Sequence, residues 1–355
     1  MNEILVSICC QTYNHVGFIE EAVESFLMQK TDFRFEILIR DDASTDGTTK
    51  IVQKYAFEFP ELIKLLTYEE NQFKKGVKPF PDNVRRAQGK YIAMCEGDDY
   101  WTDPLKLQKQ VDFLEKNKEY GMVHTNFDTF YQNENYFLKN THSVYNIDIK
   151  DNCTLDYWNL FGKEMATIKT LTVCFRYDLL KKWQSVIPDN KWLIGDFPMY
   201  FYLSLQSKVG YINESTSIYR TVFDGSASNL GKDNIKKLQL RKTYVDIRLY
   251  FFNHFNLNKN DYIVALLRDI QTLLDYCVIN NDEITLKNYI KIINNLGFDE
   301  GILTKLYLKL NNSKIKNLIS QLTKWKLWNS NFFYKLKNIT FLIKSIERKL
   351  NFKNV

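Results

Sequence analysis

The sequence predicts an α/β fold with a mostly parallel central sheet flanked by helices. Two observations carry this. Apolar runs of strand length alternate with segments of helical periodicity through the first hundred residues, a spacing that requires right-handed βαβ crossovers. Polar clusters at 11–14, 40–46 and 96–99 each directly follow a strand-like run, and parallel sheets bind ligands outside the carboxyl ends of their strands.

Ile4–Cys10 is rich in β-branched residues, with little alternation, as in a strand buried on both faces. A helix follows over 16–29, with Phe18, Ile19, Ala22, Val23, Phe26 and Leu27 at helical spacing. Phe35–Ile39 is a second strand. Residues 40–48 after it carry Ser44, Thr45 and Asp46, N-cap chemistry for a helix over 49–57. Leu62–Leu66 and Tyr91–Cys95 are further strands, the latter preceded by a helical Asn83–Gln88. From 167 to 230 the pattern is mixed, with strand-like Leu171–Arg176 and Val209–Arg220 around a segment at 192–204. Beyond about 232 it is helical and rich in Asn and Lys. The expected division is a domain at 1–230 and a helical region at 231–355.

A chain of 355 residues with 45% hydrophobic and 25% charged content is an ordinary globular protein, long enough for one large domain or two. Its six cysteines (Cys9, Cys10, Cys95, Cys153, Cys174 and Cys277) show no CxxC spacing. They read as reduced core residues of a cytosolic protein, not as disulfides or a zinc site. A strand begins at the N-terminus, so no signal peptide is expected, and no apolar run reaches the length of a membrane span.

The chemistry concentrates at Glu96-Gly97-Asp98-Asp99-Tyr100-Trp101-Thr102-Asp103-Pro104. Carboxylates are rarely buried unless paired or holding a metal. Hard oxygen ligands at a strand end suit Mg2+ or Mn2+, which enter with a substrate phosphate. Alone, this stretch is an acidic surface turn; its convergence with the other two clusters lifts it above that reading. Trp101 reads as core.

These blocks resemble family 2 glycosyltransferases, inverting enzymes of the GT-A fold (a Rossmann-like sheet) that build bacterial polysaccharides. The resemblance lies in Val6-Ser7-Ile8 with Thr12-Tyr13-Asn14, in Arg40-Asp41-Asp42-Ala43-Ser44-Thr45-Asp46-Gly47-Thr48, in the Glu96–Trp101 block, and in Ile194-Gly195-Asp196-Phe197-Pro198 with Ser217-Ile218-Tyr219-Arg220. It covers residues 3–228. The resemblance implies that Asp42 reads the N3–H of a uracil ring and that Asp41 supports its turn. It places Gln11, Thr12, Tyr13, Asn14, Glu96 and Asp98 around the donor nucleotide and a divalent Mn2+ or Mg2+ on Asp98 and Asp99, where it neutralises the leaving diphosphate. Asp196 matches the base that deprotonates the incoming hydroxyl; as a lone Asp before a helix it also reads as a cap. Where the family often carries a His after the Tyr-Arg block, this chain has Thr221-Val222-Phe223. Arg220 and Arg86 are candidate diphosphate contacts, each weighed against an ion pair or a solvated surface position.

Residues 314–355 hold ten basic residues and one acidic residue for a net +9, so the other 313 residues carry −3 of the total +6. Phe332, Leu336, Ile339, Ile343, Ile346 and Leu350 recur at spacings of four and three, with Trp325 and Trp328 upstream. A basic amphipathic helix of this kind fits an anionic membrane surface, against packing on the body or a homodimer seam. No recognisable module accompanies the charge, so nucleic acid is not an expected partner.

The expectation is therefore an inverting glycosyltransferase using a nucleotide-sugar, UDP-linked by preference. It would extend a lipid-linked surface glycan such as capsule or lipopolysaccharide from the cytoplasmic face of the membrane. One alternative is a nucleotidyltransferase, which would more typically carry a Gly-rich, basic loop after the first strand; Gln11–Gly17 has one Gly and no Lys or Arg. The other is a non-catalytic nucleotide-sugar-binding subunit.

Overall fold

The structure, a computed structural model, describes residues 3–144, 168–186, 192–222 and 233–255, with scattered positions from 257 to 295. The basic tail at 314–355, its proposed membrane or dimer contacts, and Cys153 lie outside the described residues. The chain divides into two compact units, one of Met1–Gly231 with Asp246–Leu266, the other of Lys232–Val245 with Leu267–Val355. Every candidate site residue lies in the first.

Among the described residues that unit holds nine strands: β1 (Ile4–Thr12), β2 (Arg34–Asp41), β3 (Ile63–Thr67), β4 (Tyr91–Met94), β5 (Tyr100–Trp101), β6 (Tyr120–Tyr131), β7 (Tyr136–Leu138), β8 (Val173–Arg176) and β9 (Lys208–Thr221). Their order is β3-β2-β1-β4-β8-β6-β9-β5, with β7 on β6. The four strands β3, β2, β1 and β4 are parallel. Beyond β4 the sheet is mixed: β8 runs antiparallel to β4 and β6, while β9 is parallel to β6. This is the GT-A-like α/β architecture, with its parallel half first.

The expected elements form within a few residues of their sequence limits. In α1 (Ile19–Leu27), Ile19, Ala22, Val23 and Phe26 are buried against the sheet, the i, i+3, i+4, i+7 stripe of an amphipathic helix. The next helix, α2 (Thr48–Glu58), starts after Gly47, whose φ of 111° is a left-handed value that glycine adopts without strain. Asp46 accepts the Thr48 N–H at 2.9 Å and its hydroxyl at 2.7 Å, closing that first turn. Then come α3 (Pro79–Arg86), α4 (Lys106–Lys116), a single turn α5 (Thr141–Val144), α6 (Tyr177–Val186), α7 (Asp196–Gln206), α8 (Asn234–His254) and α9 (Glu283–Asn295). Trp101 is 1% exposed, donates to the Leu171 carbonyl at 3.0 Å and meets the Phe26 ring edge-on, which makes it core. Cys9, Cys10, Cys95, Cys174 and Cys277 are buried free thiols. No helix among the described residues is long and apolar enough to cross a membrane.

Candidate active site

Because β1, β2 and β4 are parallel neighbours, their following loops leave the sheet on one side. The first two form a single wall. Asn14, at φ 55°, accepts the Thr45 N–H at 2.8 Å and donates its own N–H to the Ser44 hydroxyl at 2.9 Å. The N–H groups of His15 and Val16 donate to the Thr48 hydroxyl at 2.8 Å and the Asp46 carboxylate at 2.9 Å. Asp41 accepts from the Ser44 and Thr49 hydroxyls and so holds its turn.

Asp42 has partners throughout its carboxylate. It accepts the N–H groups of Gln72 and Phe73, each at 3.0 Å, and pairs with the buried Arg40 at 3.1 Å. The residue expected to read a uracil is thus first the anchor of the 71–73 segment. Arg40, which pattern reading passed over, also pairs with Asp82 at 3.1 Å and lies against the Tyr68 ring.

The third loop, after β4, fits against the first. Gly97 donates to the Gln11 carbonyl at 2.9 Å, and a Cβ there would meet the Thr12 hydroxyl at 2.7 Å and Ile19 at 2.8 Å. Only glycine lets the acidic loop approach β1 this closely. Beside this junction the Gln11 side-chain amide nitrogen, the Thr12 hydroxyl and the His15 Nδ1 are buried with no hydrogen-bond partner, and buried polar atoms left open in this way mark a place a ligand completes. Tyr13 is half-buried at the same strand end.

The acidic residues differ from one another. Asp99 is 4% exposed and accepts the Arg220 N–H at 2.7 Å. Asp98 is half-buried, with His15 Nε2 at 3.9 Å from its carboxylate. Burial, then the charges of Asp98 and Asp196, pushes Glu96 up to about 8. Burial, then Asp98 and Glu96, raises Asp99 well above the usual carboxylate range. The charge of Asp196 reaches Glu96, so the two carboxylates lie near one another.

Asp196 opens α7 and accepts the Phe197 N–H at 2.8 Å, so capping geometry is present. Surrounding protein raises its pKa, opposed by that N–H and by the charge of Lys169. Its side chain nonetheless reaches solvent, so the desolvation is partial.

The two expected diphosphate arginines are engaged elsewhere. Arg86 donates to the Asn83 side chain at 3.1 Å and to the Lys64 carbonyl, on the β2–β3 side. Arg220 donates through Nε to the Asp98 carbonyl at 2.9 Å, and pairs with Gln132 and Glu21 while lying against Phe18, Tyr100 and Phe130. It braces the acidic loop from behind. The cation among the carboxylates is Lys169, whose charge acts on Asp196, Asp99 and Glu96. No motif marks it; its only signal is a lone Lys at the edge of the β8 run.

Hard carboxylate oxygens suit Mg2+ or Mn2+. Among the described residues, no group of three His, Cys, Asp or Glu side chains is assembled to hold a metal. The carboxylates are nonetheless crowded enough to raise one another's pKa values, a charge imbalance that a divalent cation relieves.

The model for glycosyl transferase family 2 matches residues 7–179. That match covers just under half of the chain. An uncharacterized Mycobacterium tuberculosis protein is 45% identical over 115 residues, 32% of each chain, so the match spans about a third of that relative. The Escherichia coli enzyme WfaP, a UDP-Glc:α-D-GlcNAc-diphosphoundecaprenol β-1,3-glucosyltransferase, is 32% identical over 38% of this chain and 47% of its own. Among solved structures, S. aureus TarS 1–349 in complex with UDP-GlcNAc superposes at a TM-score of 0.55, with 18% identity, covering 77% of this chain and 71% of that one. A Pyrobaculum calidifontis mannosyltransferase in complex with GDP-Man and Mn2+ gives 0.53 at 14% identity, over 94% and 88%. These structural likenesses are of fold.

Proposed function

We propose that the chain is a metal-dependent inverting glycosyltransferase that moves a sugar from a UDP-sugar to a hydroxyl of a growing, lipid-linked surface glycan. Residues 1–230 form its catalytic region and 231–355 a helical extension whose basic end meets the membrane's inner face. The observation carrying this reading is Asp196, an accessible carboxylate of raised pKa whose charge acts on Glu96, with unpartnered Gln11 and Thr12 atoms beside the Glu96–Asp99 loop.

In this reading Asp196 takes the proton of the acceptor hydroxyl as its oxygen bonds the anomeric carbon. The bond from that carbon to the diphosphate breaks on the opposite face, and the configuration inverts. A carboxylate raised toward neutrality is a stronger base than an ordinary one while still ionised at working pH. Asp98 and Asp99 would hold Mn2+ or Mg2+, the donor's phosphate oxygens completing its shell; the ion supplies positive charge for the departing diphosphate. Gln11, Thr12 and Tyr13 line the nucleoside, with Asp42 at the base. WfaP's stated donor and diphosphoundecaprenol acceptor support the UDP-sugar and lipid-linked parts of this reading. TarS in complex with UDP-GlcNAc supports the donor and the Mn2+ mannosyltransferase complex the ion.

The test is release of nucleoside diphosphate from a panel of UDP-, GDP- and dTDP-sugars, with Mn2+ and with EDTA. Mn2+-dependent UDP release is expected. Release of pyrophosphate from a nucleoside triphosphate and sugar phosphate would instead establish a nucleotidyltransferase.

A further inference from the structure

We propose that Lys169 binds the diphosphate of the donor, its ammonium meeting the phosphate oxygens. This rests on the nucleotide-sugar reading above and adds a residue to it.

Lys169 lies just before the short turn at Thr170–Thr172 that leads into β8. Its backbone is fixed there, with its carbonyl accepting the Thr172 N–H at 2.9 Å and hydroxyl at 2.7 Å. The side chain runs inward, and Nζ sits 4.1 Å from the centre of the Tyr219 ring on β9. The aromatic face covers one side of the ammonium and is a favourable neighbour for it. Nζ has no hydrogen bond or ion pair within 4.0 Å to a described residue, although Asp196, Asp99 and Glu96 all act on it electrostatically. An ammonium has three donors, and leaving all three unpaired in a partly buried place is costly.

The carboxylates are near enough to hold the charge but do not take its hydrogen bonds. A ligand that completes Lys169 must offer it anionic oxygens while facing the acidic loop and Asp196. A diphosphate does both. The two arginines nearest in sequence expectation cannot compete, because Arg220 is held by Asp98, Gln132 and Glu21, and Arg86 by Lys64 and Asn83. The same chemistry could come from the donor or from a phosphate of a lipid-linked acceptor, and the probes below separate the two.

The experiment is calorimetry of the full chain in Mn2+ buffer, with uridine, UDP and an undecaprenyl-diphosphate headgroup analogue lacking the nucleoside. Lys169→Met should weaken UDP binding roughly tenfold to a hundredfold, the loss of a charge-assisted hydrogen bond, and leave uridine binding unchanged. Lys169→Arg should restore part of the UDP affinity. Lys169→Gln, one atom shorter but still an uncharged N–H donor, carries the same comparison if Lys169→Met does not fold. UDP affinity equal to wild type in the uncharged variants, or parallel loss of uridine and UDP, overturns the proposal. A fall in kcat with UDP affinity unmoved also overturns it, since Lys169 then acts only through Asp196. Loss confined to the headgroup analogue reassigns the residue to the acceptor and overturns the donor contact. A wild-type chain that binds neither UDP nor uridine refutes the nucleotide-sugar reading itself, a result distinct from all of these.

Discussion

The sheet carries the dipeptide Asp-Asp twice at strand carboxyl ends, as Asp41-Asp42 on β2 and Asp98-Asp99 after β4, and the fold treats the two pairs oppositely. Around the first, the chain supplies every partner: hydroxyls of Ser44 and Thr49 for Asp41, two backbone N–H groups and Arg40 for Asp42. Around the second, one backbone N–H from Arg220 reaches Asp99, and the other near neighbours are mostly carboxylates. A carboxylate whose lone pairs are filled by its own chain builds architecture. Carboxylates crowded together with raised pKa values are held for something that arrives from outside.

The largest effect expected on the second side is at Asp196, which faces that crowd. Asp196→Asn keeps volume and the cap to Phe197 but removes the base, so kcat should fall on the order of 10²–10⁴-fold while UDP affinity persists. Initial-rate kinetics alongside UDP calorimetry decide it. A rate within a few-fold of wild type would leave Asp196 as a helix cap and return that side of the comparison to structure.

Next is the acidic pair itself. Asp98→Ala should lower turnover about 10²–10³-fold with little change in thermal stability, because Asp98 is only half-buried and its carboxylate meets His15 only loosely, at 3.9 Å. Asp99→Ala should lose both turnover and roughly 1–3 kcal/mol of stability, since the buried Arg220 N–H then lacks an acceptor. Turnover and unfolding midpoints measured on both variants separate the roles. Full activity in EDTA would sink the metal assignment for the pair.

On the other side, Asp42→Ala should act first on stability. It leaves the N–H groups of Gln72 and Phe73 unpaired and takes one partner from buried Arg40, at a cost of about 1–3 kcal/mol by denaturant unfolding. Weaker uridine binding with unchanged stability would move Asp42 to the ligand side and break the contrast.

Much of this was legible in the sequence. The β1, β2 and β4 runs are apolar because both faces are covered, and the loops that follow them declare a site by their polarity. Three things were not. β6 is buried almost throughout, but it carries His124, Thr125, Asn126, Asp128 and Thr129, so its polarity hides a strand of the interior. Arg40 and Lys169 belong to no motif; their roles depend on which strands become neighbours, and spacing along the chain does not encode that. The partners of Asp42 come from residues about thirty positions away, so the same dipeptide reads identically at both strand ends until the fold is known.

The smallest effect is a pH dependence confined to the second side. Glu96 has a free value of 4.5 and is pushed up to about 8, with burial the largest cause and the charges of Asp98 and Asp196 after it. Its folded pKa lies above its unfolded one, so the native state keeps a proton that the unfolded chain gives up. Stability from this group is therefore full below the unfolded value, declines as pH rises between 4.5 and about 8, and is lost above that. Glu96→Gln fixes the neutral form. Its melting temperature should fall less than that of the wild type between about pH 5 and pH 8 in metal-free buffer, and the variant should be the more stable of the two at the alkaline end. Mn2+ should narrow the difference at the alkaline end, because an ion among the carboxylates favours the ionised Glu96 that the glutamine lacks. Identical pH profiles for variant and wild type would mean that the crowding is relieved in solution, and the distinction between the two Asp-Asp pairs would then rest on hydrogen bonding alone.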